Sequence, residues 1–223
     1  MTPEKPRVPP IPVIAGVVAV IVVIGVAAYL YLPGQSSPPQ SSSQAASVSQ
    51  TSASANSTSG LVLELRLNVS LLAPGQTIAA NVSELNSKAQ PNNVTAASQW
   101  AVQGLSIGPC GSNTPLGIGI FSGRFTKGNI SSAQQLQIYN PAVYACPARF
   151  SISSFLFQAG SDSATIAGSC QSQCTTYPMS GGDTASGYFG GSGSSFQQFP
   201  AGLYTVVGVD EWGAAVFLYF QVT

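Results

Sequence analysis

Hydrophobic and polar positions divide the chain into stretches of different period. Residues 1–10 are polar and proline-rich, with Lys5 and Arg7. Ile11 to Leu32 then runs for 22 residues without a charge and without an amphipathic stripe. A helix of that length spans about 33 Å, against about 30 Å of bilayer hydrocarbon. Tyr29 and Tyr31 stand at its far end, where amphipathic rings favour the headgroup region. The stretch predicts a transmembrane helix over 11–32, seated in the lipid bilayer. It exceeds a secretory hydrophobic region of about 7–15 residues, so it reads as a retained anchor, although Val26-Ala27-Ala28 has the form of a weak cleavage site. Lys5 and Arg7 put the tip at 1–10 in the cytoplasm and everything beyond Leu32 outside the cell.

Residues 33–60 are nearly all Ser, Gln, Ala, Thr and Pro. Such a stretch predicts a disordered linker. From Leu61 the period becomes two: Leu61, Leu63, Leu65, Leu67 and Val69 alternate with Val62, Glu64, Arg66, Asn68 and Ser70. Ala73-Pro74-Gly75-Gln76 predicts a turn, and Ile78, Ala80 and Val82 the next strand. Further runs lie at 101–107, 116–125, 134–139, 150–157 and 163–167. Tyr204–Val209 and Ala214–Val222 flank Asp210-Glu211-Trp212-Gly213, which reads as a hairpin loop. The expected fold is all-β, an antiparallel β-sandwich over 61–223.

Composition narrows the function classes. Only 6% of the residues are charged, seven basic against seven acidic, and there is no histidine; an ordinary soluble domain carries about 25% charged residues. A nucleic-acid partner is excluded for want of a basic surface. Sites that need His, from zinc and blue copper to Ser-His-Asp, are excluded as well. No metal and no cofactor are expected. Hydroxyl and amide groups take over the hydration that ions usually supply. Few groups titrate as the pH falls, which points to an ectodomain facing strongly acidic water.

Cys110, Cys146, Cys170 and Cys174 form an even set that reads as two disulfides in an exported domain. Cys110–Cys146 with Cys170–Cys174 is the favoured pairing of the three that remain open. Asn56, Asn68, Asn81, Asn93 and Asn129 begin Asn-x-Ser/Thr sequons, which are glycosylation acceptors once a chain is exported. Asp210 and Glu211 are adjacent carboxylates; turn chemistry accounts for them better than acid–base catalysis does, and no catalytic residue is assigned. Pro200-Ala201-Gly202-Leu203-Tyr204 has the form of a tyrosine corner. Residues 177–199 mingle glycines with Tyr177, Tyr188, Phe189, Phe196 and Phe199. That mixture predicts a long loop, and its aromatics are the candidate binding surface.

The plan of short tip, Val/Ile-rich anchor, Ser/Gln/Thr linker and Cys-containing domain ending in Phe199-Pro200-Ala201-Gly202-Leu203-Tyr204-Thr205-Val206-Val207 and Asp210-Glu211-Trp212-Gly213 resembles a group of uncharacterised, membrane-anchored exported proteins of thermoacidophilic archaea. Leu63 through Pro74-Gly75-Gln76 to Asn86 also resembles the first two strands of small immunoglobulin-like sandwiches. The resemblance implies an immunoglobulin-like fold behind a single N-terminal helix and supplies no site residues. The plan is similar to that of membrane-tethered archaeal blue-copper proteins too, but without histidine only the architecture is shared.

The function expected is that of a non-enzymatic cell-envelope binding or structural protein, or the accessory ectodomain of a membrane complex, with a protein or glycan partner. Self-association is an alternative, as a subunit of a pilin-like surface filament. An extracellular acid hydrolase using Asp210 and Glu211 is a third reading. Sequencing the N-terminus of the protein from native membranes separates the first two: the anchored protein keeps residues 11–32, whereas a processed pilin begins inside residues 10–17.

Overall fold

The computed structural model describes residues 49–111, 114–146, 152, 154–166, 176–190 and 195–223. The tip at 1–10, the expected helix at 11–32, most of the linker at 33–60, and Cys170 and Cys174 lie outside the described residues. Among those described, no helix is long and apolar enough to cross a membrane.

The described chain is all-β. In order, the strands are β1 (Ser52–Asn56), β2 (Val62–Leu67), β3 (Leu71–Leu72), β4 (Ile78–Leu85), β5 (Asn92–Thr95), β6 (Leu116–Ser122), β7 (Ser154–Phe157), β8 (Ser163–Ile166), β9 (Thr176–Pro178), β10 (Ser180–Ala185), β11 (Gly187–Gly190), β12 (Ser195–Gln198), β13 (Gly202–Asp210) and β14 (Ala215–Val222). Three four-stranded sheets have the orders β1-β2-β4-β10, β3-β14-β13-β6 and β5-β7-β8-β9, and β11-β12 makes a two-stranded ribbon. Pairing is antiparallel except between β3 and β14. The architecture is compatible with a β-sandwich.

Alternation builds the first sheet. Leu63, Leu65 and Leu67 of β2 and Ile78, Ala80 and Val82 of β4 point inward and are buried. They share one core with Tyr204, Val206, Val216, Leu218, Phe220 and Val222 of β13 and β14. These two central strands read differently from β2, because their apolar run scarcely alternates. Their second face is covered as well: Val207 and Val209 pack with Leu105, Phe121 and Ile130, and Trp100, Val102 and Phe125 close over the group. A strand buried on both faces needs no polar side. Thr205 ties this cover down, donating from its hydroxyl to the Gly123 carbonyl at 2.7 Å and accepting from the Phe125 amide at 2.9 Å.

Three expectations change. The boundary between linker and domain at residue 60 gives way to a strand, since Ser52–Asn56 pairs with Val62–Arg66. Its Ala53 and Ala55 lie against the core, so the Ser/Ala alternation is a small-residue version of the pattern in β2. The runs at 101–107 and 134–139 form only isolated bridges, Ser106 to Ile118, Gln135 to Phe121 and Gln137 to Phe189. The predicted loop at 177–199 contributes Tyr177 to β9, Tyr188 and Phe189 to β11 and Phe196 to β12, with β10 in between. Glycine-rich strands carry weak local β-propensity, so only their partners across the sheet reveal them.

Tyr204 forms the expected corner: its hydroxyl donates to the Pro200 carbonyl at 2.8 Å while its ring stacks on Phe220, centroids 4.9 Å apart. Tyr204→Phe should keep the stack and lose the hydrogen bond, lowering stability by about 1 kcal/mol in urea unfolding.

Candidate functional site

Two groupings bring together residues with chemical potential. The first lies at the surface. Phe189 and Phe196 face each other across the β11–β12 ribbon, ring centroids 5.4 Å apart and inclined at 62°. Phe196 is 49% exposed. The ribbon requires a glycine at 187, where any Cβ would collide with the Gln197 carbonyl oxygen. Its other face is anchored. Tyr188 sits over Phe199 at 6.1 Å, and Phe199 contacts Tyr204 at 5.1 Å and Phe220 at 5.6 Å. A ladder of rings therefore joins the exposed ribbon to the central core.

The structure divides the candidate binding residues accordingly. Phe199 is buried and belongs to the core. Tyr188 is half-buried over it, and Phe189 and Phe196 form the outer pair. Tyr177 is exposed on β9, in a different sheet, and joins none of these ring contacts.

A clamp holds the neighbouring loops. The Asp183 carboxylate, buried on β10, accepts from the Gly108 amide at 2.8 Å and from the Tyr139 hydroxyl at 2.6 Å through the same oxygen. Burial, followed by this bond and the nearby negative charge, holds the Tyr139 hydroxyl well above the usual phenol range. The Cys110–Cys146 disulfide joins the same two segments, its Cα atoms 5.0 Å apart. Closing a loop of this length contributes about 3–4 kcal/mol through the unfolded chain. Phe189 is fixed to the second segment, its amide donating to the Gln137 carbonyl at 2.7 Å. Ribbon and clamp are thus tied together, and between them they expose Val143, Tyr144 and Phe196.

The second grouping is internal. Asp210 and Glu211 lie at the β13–β14 turn, and both are buried. The Asp210 Oδ1 accepts from the amides of Trp212 at 3.0 Å and Ala214 at 2.7 Å. Those bonds are the turn chemistry expected of an Asp at this place. Trp212 is buried behind the turn, donating from Nε1 to the Thr95 carbonyl at 2.8 Å and meeting Phe155 and Phe157 edge-on.

The sequence reading passed over a third carboxyl. Glu84 on β4 is fully buried, and neither of its oxygens nor the Asp210 Oδ2 meets a protein donor. Two such acceptors can satisfy each other only through a proton. Glu84 carries it. Burial first, then the negative charge of Asp210 and a hydrogen bond to it, raise Glu84 from 4.5 to about 9. Burial also raises Asp210 to about 6, against the pull of its backbone bonds and of Glu84. Glu211 rises to about 7, from burial and then the charge of Asp210. No cation figures among the causes of these shifts. The signal in the sequence was parity: Glu84 continues the inward series Ile78, Ala80, Val82. Among the described residues, no group of three His, Cys, Asp or Glu side chains has the geometry of a metal site.

Comparison with protein-family models, with curated proteins and with solved structures finds no match.

All three carboxyls have folded-state values above their ordinary ones. Their contribution to stability is therefore complete below about pH 4 and is lost as the pH rises through about 6, 7 and finally 9. Melting temperatures from pH 2 to 9 should be highest in acid and fall toward alkali, with Glu84→Gln flattening the alkaline limb. A steep loss of stability below pH 4 would contradict this. Asp210→Ala should cost about 2–4 kcal/mol, since two buried amides lose their acceptor; Asp210→Asn, which keeps it, should cost much less.

Proposed function

We propose that the chain is a membrane-anchored, extracellular immunoglobulin-like β-sandwich that serves as a non-enzymatic binding or structural protein of the cell envelope, meeting a protein or glycan partner through the β11–β12 ribbon. The observation that carries this reading is the Phe189–Phe196 pair, an aromatic couple held on the outer side of a ribbon that is itself anchored to the core. An exposed Phe196 packed on a half-buried Phe189 presents aromatic contact area with little side-chain entropy left to lose. The corner at Tyr204 supports the immunoglobulin-like assignment. The 22 uncharged residues at 11–32 support the anchor, and the Cys110–Cys146 disulfide supports an oxidising exterior.

Crosslinking the full chain in native membranes, followed by mass spectrometry, tests the role of the ribbon. Phe196→Ala and Phe189→Ser should each cut the yield of partner crosslinks several-fold, while the melting temperature stays within a few degrees. Crosslinks at full yield with stability lost would make the pair a packing feature and remove the binding role.

A further inference from the structure

The sequon asparagines at 56, 68, 81, 93 and 129 are all exposed, but their amides are used differently. Asn68 is a structural residue. Its Nδ2 donates to the Thr77 carbonyl at 3.2 Å and its Oδ1 accepts from the Ala79 amide at 2.8 Å, which fastens the end of β2 to the start of β4. Asn129 is likewise committed, its Oδ1 accepting from the Thr126 amide at 2.6 Å. These bonds account for an asparagine at both positions.

Nothing of the kind accounts for Asn81. It lies within β4 on the solvent side, in register with Arg66 of β2 on one hand and Gly182 of β10 on the other. Its amide has no hydrogen-bond partner among the described residues. The missing side chain at Gly182 keeps it uncovered, for a Cβ there would come 3.2 Å from the Asn81 Nδ2 and 2.7 Å from the Ala80 carbonyl oxygen. Beside it runs an open trough of about 520 Å³, lined in part by Arg66, Asn68, Gly182, Asp183 and Thr184. The trough offers the Arg66 guanidinium and the Thr184 hydroxyl, groups that sugar hydroxyls match, and Leu67 is the one large apolar residue that lines it. Val82 and Ser83 complete the sequon.

We propose that Asn81 carries an N-linked glycan whose first sugars lie along this trough, and that the neighbouring Asn68 is left unmodified. The donor is a lipid-phosphate-linked oligosaccharide. The Asn81 Nδ2 attacks the anomeric carbon, the C–N bond forms as the bond from that carbon to the phosphate oxygen breaks, the lipid phosphate departs, and the amide gives up one of its protons. This rests on the reading of the domain as exported, because the transfer takes place outside the cytosol.

The test uses the full chain from native cells. Chymotrypsin cuts after Leu71 and Leu72 and so separates the two sequons, and fragmentation mass spectrometry of the peptides should find sugar mass on Asn81 and none on Asn68. Asn81→Gln and Ser83→Ala should each remove that mass without lowering the melting temperature by more than a few degrees. Asn68→Gln should leave the mass unchanged and lower the melting temperature. Protease added to intact cells reports the side of the membrane independently. A digestible domain with bare Asn81 overturns the proposal and leaves the exported reading standing. A fully protected domain with bare Asn81 overturns both, and sugar on Asn68 overturns the distinction between the two sites.

Discussion

The hydrogen bonds of the Asp210 carboxylate to the amides of Trp212 and Ala214 are the constraint on which the rest of the architecture turns. They set the tight reversal between β13 and β14, and those two strands are the pair shared by the central core and the cover over their outer face. The same reversal points Trp212 back into the β5-β7-β8-β9 side of the molecule, where it gathers Leu61, Val94, Phe155, Phe157 and Met179 into a second core. One side chain thereby fixes the register of a hairpin and the seat of the largest buried ring. Its second oxygen then faces Glu84, so a turn that would be ordinary at the surface becomes an electrostatic problem inside.

The solution to that problem suits the composition of the chain. A buried acid pair is ordinarily balanced by a cation, and this chain has only seven basic residues to distribute. The proton takes the place of the missing cation. A carboxyl that carries its proton is a neutral donor, and its partner needs only that donor. In acid such a pair is neutral and joined through its proton; toward alkali it must either hold a proton against a rising gradient or bury a second charge. Surface scarcity of charge and internal reliance on protons both favour stability in acid, and they do so through different physics: one concerns repulsion between exposed groups, the other desolvation of hidden ones.

Much of the fold was legible because burial on one face leaves a period of two. Leu63, Leu65 and Leu67 announced β2, and the two apolar runs about Asp210-Glu211-Trp212-Gly213 announced the hairpin. The even cysteine count pointed to disulfides without fixing their pairing, of which Cys110–Cys146 was the favoured one, and the Tyr204 corner was readable from its spacing to Pro200. What was missed depended on partners far away in the chain. Ser52–Asn56 is a strand because β2 offers it an edge, not because its own residues favour one. Gly187 and Gly190 look like loop residues until Gln197 and Ser195 are placed opposite them. Glu84 was readable from parity alone, but a charged residue at an inward position contradicts the expectation that charges face water, and the proton that reconciles the two has no letter in the sequence.

These features leave the molecule with unequal surfaces. The outer side of β1-β2-β4-β10 shows Ser52, Ser54, Ala79, Asn81, Ser83 and Thr184, with Glu64 and Arg66 neutralising each other at 2.8 Å. Most of these groups are small and polar, although Val62 and the exposed Leu85, paired across β2 and β4, lie on the same side. The outer side of β13 and β14 is already covered by the segments about Trp100 and Phe125. Exposed large apolar side chains are few by comparison: Val143, Tyr144 and Phe196 on the ribbon and the clamped loops, with Leu71, Leu85 and Tyr177 elsewhere. Exposed rings count for more on a chain with few charges to steer association, since specificity must then come from shape and aromatic contact. The disulfide and the Asp183 clamp matter for that reason: they remove the loop entropy that a partner would otherwise have to overcome on docking.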